Sequence, residues 1–175
     1  TIDITIMPLP VPTAVSDSVN CNGATDGSLT VTGVTNSPST FPGGYGYLWD
    51  DSSGQTTQTA TGVGIGTYNV TVQDLTTTCT AQTTAVIFEP PLLTTTITPT
   101  PPLCAGELGS ATANPTGGTG AYTYSWNTAP VQTTQTATGL VPGVTYEVTV
   151  TDGGNCQVTE TVSLARGTAN TAGFS

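Results

Sequence analysis

Short runs in which apolar and polar residues alternate, set apart by turn residues about every ten positions, fill this chain. No segment shows the three-to-four-residue apolar spacing of an amphipathic helix. Ser28-Leu29-Thr30-Val31-Thr32 alternates, and Gly33 is expected to close the strand. Tyr45, Tyr47 and Trp49 share one face of the next strand, with Gly46 and Leu48 on the other. Tyr68, Val70 and Val72 alternate with Asn69 and Thr71, and a last strand is expected over Thr80 to Phe88. Many short strands punctuated in this way predict an all-β sandwich or barrel.

The pattern is written twice. Gln55-Thr56-Thr57-Gln58-Thr59-Ala60-Thr61-Gly62 recurs letter for letter as Gln132-Thr133-Thr134-Gln135-Thr136-Ala137-Thr138-Gly139. Cys21 answers to Cys104, Tyr45 to Trp49 answers to Tyr122 to Trp126, and Cys79 answers to Cys156. The aromatic parity survives in Tyr122, Tyr124 and Trp126, while the opposite face becomes Thr123 and Ser125, so the aromatic face is the core and the drifting one meets solvent. Tyr146, Val148 and Val150 point inward in the same way, and a last strand runs from Val158 to Leu164. Tandem copies of one unit point to extension or display before catalysis.

The expected organisation is a first repeat over 14–91, a second over 92–166 and a tail over 167–175 without strand pattern. Thr1 to Pro8 alternates and ends in proline as Thr84 to Pro91 does, so residues 1–8 read as the last strand of a preceding repeat. The chain then reads as a window on a longer protein, and Ile2, Ile4 and Ile6 become candidates for a strand exchanged with a neighbouring subunit. Glu89 to Pro102 carries prolines too densely for a sheet ladder and is expected to be a semi-rigid linker.

Domains of about 75–80 residues bury a modest core and commonly need a covalent staple. Four cysteines permit three pairings; the repeat symmetry favours Cys21–Cys79 and Cys104–Cys156, each worth roughly 4 kcal/mol in the chain-entropy model. With no His and no Cys-x-x-Cys, disulfides outrank a metal site, which places the protein outside the cytoplasm.

Charge narrows the partners. One basic and 11 acidic residues give a net charge of −10, which excludes nucleic acid and anionic membrane surfaces. The usual base-assisted nucleophiles need a His or Lys that the chain lacks, so no catalytic residue and no cofactor is expected. Asp50-Asp51 is the adjacent acidic pair, but its counterpart is Asn127-Thr128, and a turn role explains both. Calcium is the remaining metal candidate: a Cys21–Cys79 bond would bring Asp26 towards Asp74. Asp26 and Asp152 are also turn formers that bond their own backbone. The loop Asn36 to Gly44, which the second repeat shortens, carries Phe41 as a candidate contact residue; the plainer alternative folds Phe41 onto its own loop.

Five ordered motifs, each present twice, resemble the SprB repeat of very long cell-surface adhesins of gliding Bacteroidetes bacteria. They are Cys-Asn-Gly-x-x-Asp-Gly-Ser (Cys21 to Ser28), Tyr-x-Tyr-x-Trp, the repeated Gln-Thr-Thr-Gln-Thr-Ala-Thr-Gly, Gly-Thr-Tyr-x-Val-Thr-Val-x-Asp (Gly66 to Asp74) and a following Cys. The second copy departs at its start, where Cys104 to Ser110 is one residue shorter and lacks the Asp26 equivalent. The resemblance implies two tandem immunoglobulin-like β-sandwich repeats, export by the type IX route and a stiff spacer in attachment or gliding. The partners it implies are neighbouring repeats or subunits of the same protein and surface polysaccharide. Asp17-Ser18-Val19 also resembles the Asp-Ser/Thr-hydrophobic acceptor for O-glycosylation in such bacteria, making Ser18 a candidate. Two rival readings remain: a filament subunit joined through residues 1–8, and a carbohydrate-binding accessory module with Phe41 at its surface.

Overall fold

A computed structural model of the protein describes residues 9–167. The expected strand over residues 1–8, with Ile2, Ile4 and Ile6, lies outside the described residues, as does nearly all of the tail. All of the described regular structure is β. The chain divides into two units, Thr1–Glu89 and Pro90–Ser175, here called modules 1 and 2.

Module 1 is built from β1 (Val11–Asp17), β2 (Gly27–Thr35), β3 (Tyr45–Trp49), β4 (Thr59–Val63), β5 (Gly66–Asp74) and β6 (Thr80–Ile87). Module 2 repeats the series as β7 (Thr94–Thr100), β8 (Gly109–Thr116), β9 (Thr123–Trp126), β10 (Thr136–Leu140), β11 (Thr145–Thr151) and β12 (Gln157–Ser163). In module 1 a sheet of order β1-β2-β4 faces one of order β3-β5-β6, and module 2 repeats both orders as β7-β8-β10 and β9-β11-β12. All pairings are antiparallel. Each module is an immunoglobulin-like β-sandwich.

The alternation read from the sequence is what closes the sandwiches. Leu29, Val31, Ala60 and Val63 of one sheet meet Tyr45, Trp49, Val70, Val72, Ala85 and Ile87 of the other. In module 2, Ala111, Ala113, Ala137 and Leu140 face Trp126, Val148 and Val150, with Leu164 closing the end. Trp49 and Trp126 are each 1 % exposed, and burying a large apolar side chain stabilises by about 1.5–3 kcal/mol. Gly27 has no room for a side chain: a Cβ there would lie 2.8 Å from the Val63 carbonyl oxygen and 3.2 Å from Ile87 Cδ1.

Each module has two poles. Val11 pairs with Thr35 and Tyr45 with Asp74, so the start of β1, the end of β2, the start of β3 and the β5–β6 turn share the entry pole. Asp17 pairs with Ser28, Gly27 with Val63 and Gly66 with Ile87, which puts the β1–β2 loop, the β4–β5 turn and the end of β6 at the exit pole. The Val19 amide bonds the Phe88 carbonyl at 3.2 Å and ties the two sheets there. Module 2 has the same poles.

Three expectations change. Gly33 does not end its strand: β2 runs on to Thr35, and Gly33 lies opposite Thr13 beside a bulge at Thr13/Ala14. Residues 94–100, expected to be linker, form strand β7, in which Pro99 faces Ala111. Val11–Asp17, for which no strand was expected, form strand β1, with Pro12 facing Val34. β1 and β7 are sheet edges, where one side of the backbone needs no partner and a missing N–H is harmless, whereas Pro115 lies near the end of the central strand β8, opposite Thr95.

Candidate functional site

The motif repeated without a change is the first candidate for a site, and its glutamine side chains are occupied. Trp49 N–H donates to the Gln55 carbonyl at 2.9 Å, and Trp126 N–H to that of Gln132 at 2.9 Å. The Gln55 amide clamps Thr61, donating to its carbonyl at 3.0 Å and accepting its N–H at 3.0 Å. Gln132 clamps Thr138 in the same way, at 2.9 Å in both bonds. Gln58 Nε2 donates to the Val31 carbonyl at 2.8 Å, as Gln135 Nε2 does to Ala113 at 2.9 Å. The indole N–H of Trp49 reaches the Thr57 carbonyl at 3.0 Å, and that of Trp126 the Thr134 carbonyl at 3.0 Å. The segment therefore crosses from one sheet to the other while its side chains replace the ladder it lacks. Gly62 and Gly139 end it at φ 71° and 70°, where a Cβ would be strained. The motif is a clip that holds the module shut.

At the entry pole a buried carboxylate follows the Val-x-Val strand. Asp74 is 0 % exposed and Asp152 4 %. Asp74 accepts from Ser37 Oγ, from Ser39 Oγ at 2.7 Å, and from the Thr76 and Thr77 amides at 2.7 and 3.0 Å. Burial pushes its pKa up, but these donors outweigh burial and hold the carboxyl far below the usual carboxylate range. Asp152 accepts from the amides of Thr119, Gly154 and Cys156, each at 2.9 Å. The Thr119 amide is the largest influence lowering its pKa, against the effect of burial. Sequence reasoning took Asp152 for an ordinary turn former and Asp74 for a calcium candidate; the signal was the carboxylate that ends Val-x-Val in both copies.

The cysteines fall differently from the expected pairing. Cys79 and Cys104 are free, whereas Cys21 and Cys156 are disulfide-bonded. Neither Cys21–Cys79 nor Cys104–Cys156 is formed. Cys21 sits in the β1–β2 loop at the exit pole, and Cys79 in the β5–β6 turn at the entry pole. The length of β5, Gly66–Asp74, lies between those poles, about 26 Å at roughly 3.3 Å per residue. A disulfide needs Cα atoms within about 7 Å. Cys104 and Cys156 are separated in the same way by β11. Repeat symmetry favoured one pair per repeat, but it carried no information about which pole each cysteine occupies.

The same separation removes the calcium reading. Asp26 lies at the exit pole, accepting from the Asn20 amide at 3.1 Å and from its side chain at 2.6 Å, with Asp74 at the opposite end. Among the described residues no group of three or more His, Cys, Asp or Glu is placed to hold a metal. Asp51 is 8 % exposed and accepts from the Ser53 and Gln55 amides, so its role is that of a turn; Thr128 Oγ1 accepts from the Gln132 amide in its place. Asp50 accepts the Asn69 N–H at 2.8 Å, as Asn127 accepts that of Glu147 at 2.9 Å. Phe41 is half-buried, packs on the core and lies 6.4 Å from the Tyr45 ring, so it does not stand out as a contact residue. Ser18 is exposed, with its oxygen accepting the Phe88 amide at 3.3 Å. A groove lined by Leu48, Asp50, Asn69, Thr71 and Gln82 lies on the outer face of β3-β5-β6. No helix among the described residues is long and apolar enough to cross a membrane.

Comparison with known proteins agrees with the resemblance read from the motifs. The family model described as SprB repeat matches residues 96–131, in module 2. In sequence, no curated protein matches the chain. Among solved structures the chain is similar to the three N-terminal domains of the bacteriophage RB49 Highly Immunogenic Outer Capsid protein (Hoc). That likeness has 19 % identity and a TM-score of 0.54 over 90 % of this chain and 59 % of that one, and it shows the fold. Drosophila OTK, extracellular domains 3–5, is similar at 13 % identity and a TM-score of 0.42, over 92 % of this chain and 62 % of that one. The chain thus spans about three-fifths of the phage structure that it matches.

Proposed function

We propose that the chain is a structural repeat segment of an extracellular bacterial surface adhesin, a spacer that carries a binding region elsewhere in the protein away from the cell. One observation carries this reading: in both modules the glutamines of the motif kept letter for letter bond the backbone of their own module. What is kept between the copies is what folds them, and the outward faces, such as Leu48 against Ser125, are free to drift. Repetition without a shared surface site is the economy of a scaffold. The SprB match in module 2 and the disulfide-bonded cysteines support a location at the cell surface. Attachment or gliding, with export by the type IX route, is the setting that the family resemblance suggests. Catalysis is no part of this reading, because each recurrent buried carboxylate is saturated by turn amides and hydroxyls.

Immunogold labelling of intact producing cells with antibodies raised against the chain tests the proposal. Label is expected outside the envelope, at a distance from it; label confined to the cell interior would sink it.

A further inference from the structure

We propose that Cys79 and Cys104 are open ends for covalent linkage, each forming a disulfide with a cysteine at the opposite kind of pole on a module outside this chain. In a longer tandem array that module is the neighbouring repeat; for the isolated chain it is a second copy. The inference rests on the tandem-module reading but not on what the surface protein grips.

The four cysteines fall into two equivalent pairs of positions. Cys79 and Cys156 occupy the same entry-pole turn, each carbonyl accepting the N–H of the buried aspartate, at 2.9 and 3.0 Å. Cys21 and Cys104 occupy the same exit-pole loop, each carbonyl accepting an amide three residues on, Ala24 at 3.1 Å and Glu107 at 3.4 Å. One cysteine of each class is oxidised, Cys156 at an entry pole and Cys21 at an exit pole. One of each class is free, Cys79 at an entry pole and Cys104 at an exit pole. The two positions are therefore of a kind that forms disulfides in this fold, and the poles within one module lie too far apart for its own two cysteines to meet. Cys104 is exposed and Cys79 partly so, which leaves both open to a partner.

The chemistry balances with a disulfide oxidant such as oxidised glutathione. The thiolate of Cys79 attacks the glutathione disulfide, forming a mixed disulfide and releasing one reduced glutathione. The thiolate of Cys104 on a second copy then attacks the Cys79 sulfur and expels the other glutathione. Two protein thiols are oxidised to one disulfide, one glutathione disulfide is reduced to two thiols, and the two thiol protons pass to the glutathione sulfurs.

The test incubates a mixture of unlabelled and isotope-labelled chain with oxidised glutathione and reads non-reducing gels and chymotryptic peptide maps. The expected result is a ladder of covalent oligomers that collapses with dithiothreitol, with Cys79 peptides of one copy joined to Cys104 peptides of another. Cys79→Ser and Cys104→Ser alone should each stay monomeric, an equimolar mixture of the two variants should stop at dimers, and removal of residues 1–8 should leave the ladder intact, which separates it from strand exchange. A chain that stays monomeric with both thiols alkylatable would overturn the proposal. So would Cys79 joined to Cys104 within one copy, or maps showing Cys21–Cys79 and Cys104–Cys156. Failure of the surface labelling would not change any of these readouts.

Discussion

Modules 1 and 2 keep the same clip bonds and differ in what fills the space between their sheets. At the two inward positions of the second strand, module 1 has Leu29 and Val31 and module 2 has Ala111 and Ala113, all at 0 % exposure. Module 2 recovers part of the volume at the exit pole, where Leu140 takes the place of Val63, while Leu164 stands for Ile87 at equal volume. The clip keeps its bonds from Gln55 and Gln132 to the Thr61 and Thr138 backbone. These clip bonds are the fixed part of the fold and its apolar filling the variable part. A bond between named atoms has one geometry, whereas a core of suitable total volume can be made in several ways.

The hardest blow to this picture falls in the larger core. Leu29→Ala gives module 1 the residue that module 2 already has, but without the neighbours that compensate. It should cost about 2–5 kcal/mol and raise amide hydrogen exchange throughout module 1. A loss well below that would mean that the filling is freer than the two cores suggest. Removing a clip comes next. Gln55→Ala and Gln132→Ala each delete two exposed bonds to the backbone and should cost about 1 kcal/mol in urea unfolding. Gln55→Ala should cost the more, since Gln55 Nε2 also donates to Asp51 Oδ2 at 3.1 Å, a bond that Gln132 lacks. Equal losses would show that the Asp51 bond adds nothing to the clip.

The smallest effect is invisible at neutral pH. The carboxyls of Asp74, Asp152, Asp51 and Asp26 all titrate lower in the folded protein than the ordinary value of 3.8. The unfolded chain therefore binds their protons first, so stability is full above that value and falls as the pH drops below it. Melting temperatures should be flat from pH 7 to about 4 and then decline. Asp74→Asn should flatten that decline more than Asp152→Asn, since Asp74 also holds two serine hydroxyls of the longer loop. An equal response would show that the loop adds nothing to the pole.

The inward faces were legible in the sequence because parity on a strand is a local property. Tyr45, Trp49, Val70 and Val72 could be placed without knowing any partner strand. The edge strands were not, because Pro12 and Pro99 argue against a ladder until one knows that the strand lies at a border. The clip was visible as a repeated string but not as a structure, since its bonds join residues brought together by the crossing between sheets. The cysteines misled for a related reason. Sequence order pairs them neatly within each repeat, but the direction in which β5 and β11 run decides which end of the sandwich each occupies.

One feature of module 1 bears on force. β1 and β6 lie beside each other and both run from the entry pole to the exit pole, joined where Ser16 Oγ donates to the Val86 carbonyl at 2.6 Å and Val19 N–H to that of Phe88 at 3.2 Å. The chain enters β1 at one pole and leaves β6 at the other. Tension along the chain therefore slides these strands lengthwise in shear, and the bonds between them carry the load together instead of peeling one by one. Rupture under tension is governed by the unfolding rate, not by equilibrium stability. A module of modest thermodynamic stability can thus be a strong link.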